Sequence, residues 1–346
     1  HRVLGIDPGS TSWDCVVLEG DSSQILNEVS FKTQQIKDNP QILLNFLDQQ
    51  SPLDFIVAPS GFGLPLTKVQ DLTISDMFAI TLRIPDTTPS MGLERVLQML
   101  KESPYNAWVV PGVKHLPTVQ PFRKINRVDL GTADKVCVVV AAIKAEMKNQ
   151  KKPCTSCNFL LLVLGHAFTS ILAIENGQII DGIGGSNLVG MQACGSLDAE
   201  LVPLLQSHTK KVIYSGGIAT IQQRSGSNHD SDRISIGMSY YLDVLIKGLT
   251  SMASIYQNQP PTTIYVVNDT RDSIPLLSEL KKRVKFPSSI QTLSFSNISV
   301  KSSALGAAYL AEGLLNGPSH EIIENMRISE ASGHVLDYVY LPLLPS

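Results

Sequence analysis

Val3-Leu4-Gly5-Ile6-Asp7-Pro8-Gly9-Ser10-Thr11, running on to Leu18-Glu19-Gly20, is written a second time as Leu161-Leu162-Val163-Leu164-Gly165-His166-Ala167, running on to Ile174-Glu175-Asn176-Gly177. Each copy has an apolar run, a small-residue turn around Gly9 or Gly165, a second apolar run and a hairpin glycine. The copies stand nearly half the chain apart, which predicts two domains of one ancestry facing each other across a cleft. Glycine lets backbone amides approach a ligand closely, and Ser10 and Thr11 add hydroxyl donors where successive amides can form a nest for phosphate. The pattern predicts a polyphosphate gripped between two turns.

Composition agrees. At 346 residues, the chain exceeds the roughly 250–300 at which single cores stop growing, and 43% hydrophobic content can fill two of them. A net charge of −3, from 28 Lys+Arg and 31 Asp+Glu, gives no basic field for nucleic acid or an anionic membrane and favours a small-molecule ligand. No run approaches the ~18 apolar residues of a membrane span. No charged region, apolar stretch and cleavage site opens the chain, so the expected location is cytoplasmic. Five cysteines suit a reducing compartment. Cys154 and Cys157 have metal or redox spacing, but no second pair accompanies them, and two thiols in a polar loop is the simpler reading.

Periodicity predicts strands at 3–6, 15–18, 28–32 and 54–58, helices at 40–49 and 92–102, a short strand at 107–110 and a long helix over 131–148. A polar loop at 149–158 divides the chain into domains at 1–150 and 158–316, with a tail at 317–346 expected to pack back on the first. The second half reads as strands at 159–164, 170–175 and 179–181, a helix at 197–207 and a strand at 212–214. It continues with a helix at 236–256, a strand at 263–267, a helix at 274–284, a strand at 290–295 and a small-residue helix at 303–315. The segment 225–232 reads as a loop. Alternation after a three-strand antiparallel start predicts an α/β protein with mixed sheets covered by helices on both faces.

These residues are similar to the actin, sugar-kinase and Hsp70 ATPase superfamily, and within it to acetate and butyrate kinases, especially an archaeal family described as predicted butyrate kinases of unknown function. Residues 5–12 resemble the first phosphate motif of butyrate kinases, with Asp7 where Asn is common, and residues 165–181 resemble the second. Ser60-Gly61-Phe62-Gly63-Leu64-Pro65 resembles the glycine-rich substrate loop, Trp108-Val109-Val110-Pro111 and the helix after it resemble the close of the first domain, and Ala304-Leu305-Gly306-Ala307-Ala308 resembles the second connecting helix. The resemblance implies two duplicated ribonuclease H-like domains, each a mixed five-stranded sheet, with ATP and Mg2+ in the cleft. It leaves a homodimer open.

The chain departs from that pattern at three places. Val163 stands where those kinases carry His, and Ala193 where they carry the Arg that steadies the transferring phosphoryl group. The adenosine loop, by order of elements, falls on Asn268, Asp269 and Thr270 rather than on a Gly-Gly pair, while Tyr214-Ser215-Gly216-Gly217 has the better spelling but precedes the long helix.

Phosphoryl transfer needs positioned cations and amides more than covalent chemistry. Asp7 either holds Mg2+ through water or caps the turn before Pro8. Asp129 either caps the following helix or orients a hydroxyl and accepts its proton. Arg123, Lys124 and Arg127, with Lys135 one turn into the helix, form either a clamp for carboxylate or phosphate or a solvated face. His166 either donates to phosphate or fills a polar corner, and Asp181 either supports the metal or closes a turn. Three functions follow: a kinase acting on a small carboxylate or hydroxyl substrate, a nucleotide-binding regulator of the same fold, and an ATP-driven redox activator.

Overall fold

The computed structural model describes residues 1–83, 92–206, 208–224, 235–257, 260–268, 274–286, 289–295 and 298–343. The first half runs β1 (Arg2–Pro8), β2 (Ser12–Glu19), β3 (Gln24–Lys32), α1 (Thr33–Asp38), α2 (Gln41–Gln50), β4 (Phe55–Val57), β5 (Thr67–Lys68), α3 (Ile74–Thr81), α4 (Leu93–Lys101), β6 (Ala107–Val109) and α5 (Ala133–Gln150). The second runs β7 (Phe159–Leu164), β8 (Thr169–Glu175), β9 (Gln178–Ile183), α6 (Ile218–Arg224), α7 (Ile236–Ala253), β10 (Thr263–Asn268), α8 (Ile274–Arg283), β11 (Ser289–Thr292) and α9 (Ser302–Leu314), followed by α10 (His320–Asn325).

Both halves build the same sheet. The second orders its strands β11-β10-β7-β8-β9, and the first β3-β2-β1-β4-β6-β5. In each, a three-strand antiparallel meander is extended on the side of its first strand by parallel strands. The first sheet has six strands instead of the expected five because the chain after the glycine-rich loop at 60–65 turns back and adds the two-residue β5 antiparallel to β6.

Alternation along the strands sorts the core into layers. Val3 on β1 and Phe159, Leu161 and Val163 on β7 face a shared middle layer made of α5 and α9. Leu4 and Ile6 face α2, α3 and α4 on one outside, while Leu160, Leu162 and Leu164 face α7 and α8 on the other. Gly5 lets α9 settle on β1, since a Cβ there would stand 2.3 Å from the Ala308 backbone nitrogen. That approach brings the start of α9 beside the first turn.

Two of the expected elements take another form. Residues 212–214, apolar enough to read as a strand, lie in a 3-10 helix, Lys210–Tyr214, with no ladder partner. The helix expected over 197–207 is a 3-10 stretch, Ala199–Leu204, interrupted by Pro203, which removes a donor. The loop expected at 225–232 lies outside the described residues. The tail packs α10 on α9 and α5, then runs along the segment 113–126: Ser332 N donates to His115 O at 3.0 Å and Asn126 N to Tyr338 O at 2.9 Å.

Candidate functional site

β1 and β7 end in the same device. Gly9 N donates to Ser12 O, and Gly165 N donates to Phe168 O, so each glycine amide closes its own turn. Among the described residues the backbone amides of Ser10, Thr11, His166 and Ala167 donate to no protein group, which leaves them as the donors a phosphate can use. Both turns line one cleft of about 660 Å³.

Asp7, Gly9, Ser10, Thr11, Gly61, Phe62, Asp129, Lys135, Gly165, His166 and Ala167 all border that cleft. The glycine-rich loop at 60–65 is held by Ser60, whose hydroxyl donates to Ala58 O at 2.7 Å and accepts from Val110 N at 3.0 Å. Gly63 sits behind the loop rather than on the cleft. Its φ is +86°, and a Cβ there would stand 2.1 Å from Gly112 N, so only glycine fits.

The cleft's charges alternate in sign. Asp7 is 5% exposed, and Lys301, just ahead of α9, places its Nζ 3.1 Å from Asp7 Oδ2 and 2.9 Å from Asp14 Oδ2. Burial pushes the Asp7 carboxyl up against the pull of Lys301. Burial also works on Lys301, but Asp7 and Asp14 hold its ammonium above the ordinary lysine value. Asp134, at the start of α5, bonds Thr132 and Lys135. Against the upward push of burial, Lys135 and Thr132 hold the Asp134 carboxyl below its usual value.

Asp129 does not cap α5, because Thr132 occupies the N-cap position. It accepts instead from Ser186 N at 2.8 Å and Gly131 N at 3.2 Å. Burial raises its pKa despite those bonds and the nearby Lys135.

Several expected site residues lie elsewhere. Arg123 and Asp181 do not border the cleft: Arg123 donates to Ile180 O at 2.7 Å and its Nε lies 3.7 Å from Asp181, so the two tie the 3-10 helix Pro121–Lys124 to the edge strand β9. Asp181 also accepts from Gly182 N at 2.8 Å within β9, and its place off the cleft separates it from Asp7. Lys124 donates to Leu116 O at 2.9 Å, and Arg127 to Asn187 Oδ1 at 3.2 Å. Asn268 ends β10 opposite Leu164 and does not border the cleft. Asp269 and Thr270 lie outside the described residues.

Sequence reading missed Asp134, Ser170, Lys210, Tyr214, Lys301 and Ser303, all of which border the cleft. Asp134 and Ser303 carried a legible signal, since polar residues opening apolar helices stand at helix N-termini. Ser170 sits directly opposite Val163 in the β7–β8 ladder, fully buried, with no partner for its hydroxyl. Lys301 and Lys210 carried no local signal because their partners are distant in sequence.

The fold is that of acetate and propionate kinases. Acetate kinase from Porphyromonas gingivalis superposes with a TM-score of 0.61 at 11% identity, covering 91% of this chain and 99% of that one. Propionate kinase from Francisella tularensis superposes at 0.60 with 13% identity, covering 89% and 98%. Acetate kinase from Entamoeba histolytica superposes at 0.56 with 13% identity, covering 83% and 87%. No curated protein matches the chain. A family model described as "Protein of unknown function (DUF1464)" matches residues 5–341, and the chain belongs to that family.

Proposed function

We propose that the protein is a phosphotransferase that binds ATP with Mg2+ between the two glycine turns and passes the terminal phosphoryl group to a small carboxylate or hydroxyl acceptor. The observation that carries this reading is the shared cleft: two copies of one turn, each with uncommitted amides, face a single space that also holds Asp7, Asp129, Asp134 and Lys135. The likeness to acetate and propionate kinases supports the fold alone. The halves at 1–150 and 158–316 act in this reading as two domains whose approach excludes water.

Magnesium is held by one or two carboxylates together with phosphate oxygens and water, and Asp7 with Asp134 fit that donor set. Among the described residues no group of three metal-ligating side chains occurs, which is compatible with a metal arriving on the nucleotide. When bound, Mg2+ neutralises phosphate oxygens. The amides of Ser10, Thr11, His166 and Ala167 hold the phosphates in line, and Lys135 sets a positive charge at the start of α5. The acceptor oxygen forms a bond to the terminal phosphorus as the bond to the bridging oxygen breaks, and ADP leaves. A carboxylate acceptor arrives without a proton to lose; a hydroxyl acceptor gives its proton to Asp129.

A binding protein without turnover is the second reading, favoured by the Lys301–Asp7 pair, which already neutralises the carboxylate at the first turn. The cysteines offer the redox-activator reading no support: Cys154 Sγ donates to Glu321 Oε1 at 3.1 Å, and no cluster of three ligands gathers around the pair among the described residues. Calorimetric titration with Mg·ATP and Mg·ADP, followed by phosphorus NMR with a panel of carboxylates and alcohols, tests the proposal. Saturable nucleotide binding with formation of ADP and one phosphorylated acceptor supports it. Absence of binding at millimolar nucleotide refutes it, and binding without product on any acceptor selects the second reading.

A further inference from the structure

Lys210 belongs to the second half of the chain, in the 3-10 helix Lys210–Tyr214, yet both of its contacts lie on the first half. Its Nζ donates to the Thr81 carbonyl at the end of α3 and stands 5.1 Å from the centre of the Phe62 ring on the substrate loop. The side chain reaches the first half and borders the same space as both turns.

Two other lysines of the cleft differ. Lys135 is paired with Asp134, and Lys301 with Asp7 and Asp14. Among the described residues no carboxylate lies within 4.0 Å of Lys210 Nζ, so a carbonyl oxygen and a ring face are its partners. Burial lowers its pKa to about 8, with Asp129 opposing the fall. An ammonium stripped of part of its water and lacking an ion pair binds an incoming anion strongly. The same cleft is lined by the apolar Val57, Ala58, Phe62, Ile80 and Val110.

The neighbouring segment lacks a cation of its own. Ala193 is fully buried, and Cys194 N donates to Ile213 O at 3.2 Å, which lays residues 193 and 194 along the segment that starts with Lys210. The positive charge available on this side of the cleft therefore reaches it from Lys210 and the exposed Lys211.

We propose that Lys210 is an acceptor-binding residue: its ammonium leaves the Thr81 carbonyl for the anionic oxygens of a small acceptor whose apolar tail packs against Phe62, Ile80 and Val110. This rests on the phosphotransfer reading and narrows it to acceptors that carry a negative charge. The nucleotide's phosphates are the other source of anionic oxygens, but the contacts of Lys210 are Phe62 and Thr81 of the first half rather than either glycine turn, which favours the acceptor.

Calorimetry on the whole chain tests this with Mg·ADP, acetate, butyrate and inorganic phosphate as probes, on wild type, Lys210→Met, Lys210→Arg and, as an exposed control away from the cleft, Lys247→Met. Methionine keeps the stem over Phe62, and the thermal midpoint of each variant verifies folding. The proposal expects at least one of the three anions to bind wild type and Lys247→Met, with affinity in Lys210→Met falling about tenfold or more. Lys210→Arg should restore most of that loss, and Mg·ADP affinity should stay within about twofold across the set. Unchanged anion affinity in Lys210→Met overturns the proposal, as does loss of Mg·ADP affinity in place of anion affinity, or failure of every anion to bind wild type that binds Mg·ADP. If Mg·ADP fails to bind at all, the phosphotransfer reading falls, while a phosphate site abolished by Lys210→Met would still uphold Lys210 as an anion ligand.

Discussion

Gly9 and Gly165 make the same hydrogen bond: each N–H donates over 2.9 Å to the carbonyl three residues on, Ser12 in one turn and Phe168 in the other. The bond reverses the chain tightly and presents the next two amides at the cleft. Gly9 is also packed against Lys301, since a Cβ there would stand 2.1 Å from its Nζ and 2.7 Å from Ser12 O. Gly9→Val should therefore displace Lys301, open the turn and lower Mg·ATP affinity by about tenfold or more by calorimetry. Full nucleotide affinity in a folded Gly9→Val would separate the turn from the ligand.

Lys301 holds together two buried carboxylates from β1 and β2, and its side chain is 14% exposed against 6% for Asp7 and 2% for Asp14. Removing one member of a buried ion network leaves uncompensated charge. Lys301→Met should cost about 3–5 kcal/mol in urea unfolding at neutral pH, and Asp7→Asn in the same background should recover part of it. A cost below about 1 kcal/mol, the range of an exposed pair, would mean the network is dispensable.

Asp129 offers a way to tell acceptor classes apart. Asn at this position keeps an acceptor oxygen for one of the two amides bound now, from Ser186 and Gly131, but cannot take a proton. With a hydroxyl acceptor, Asp129→Asn should lower kcat by about 10²-fold or more. With a carboxylate acceptor kcat should change little, and steady-state kinetics on both classes decides which chemistry the cleft serves.

His115 is 1% exposed, and neither ring nitrogen has a partner. Burial lowers its pKa to about 4, with the nearby Gly112 backbone opposing the fall and Lys124, His334 and Lys114 adding to it. The folded state thus binds this proton less well than the unfolded chain, where histidine titrates near 6.5. Stability from this group is complete above about pH 6.5 and is lost as pH falls toward 4, by at most about 3 kcal/mol. His115→Leu should flatten that slope in thermal midpoints between pH 7 and 5, and an unchanged slope would assign acid sensitivity to other groups.

Local patterns made much of this molecule legible in its sequence. The apolar runs at 3–6 and 159–164 and the glycines after them announce two strand–turn–strand units because their partners are their nearest neighbours. The same reading missed Lys301, which reaches Asp7 only because α9 packs on β1 through Gly5. It placed Arg123 at the site because basic residues cluster there, whereas the fold turns that residue toward Ile180 and Asp181 on an edge strand. Residues 212–214 read as a strand from side-chain type, yet among the described residues no strand pairs with them, and the backbone closes into 3-10 turns that carry Lys210 to the cleft.

Amide chemical shifts followed during titration with Mg·ATP test the central claim most directly. The account predicts that the largest changes fall together on Ser10 and Thr11 of the first turn and on His166 and Ala167 of the second, saturating at one nucleotide per chain. Saturable shifts confined to one turn, or to residues away from both, would contradict a triphosphate held between them.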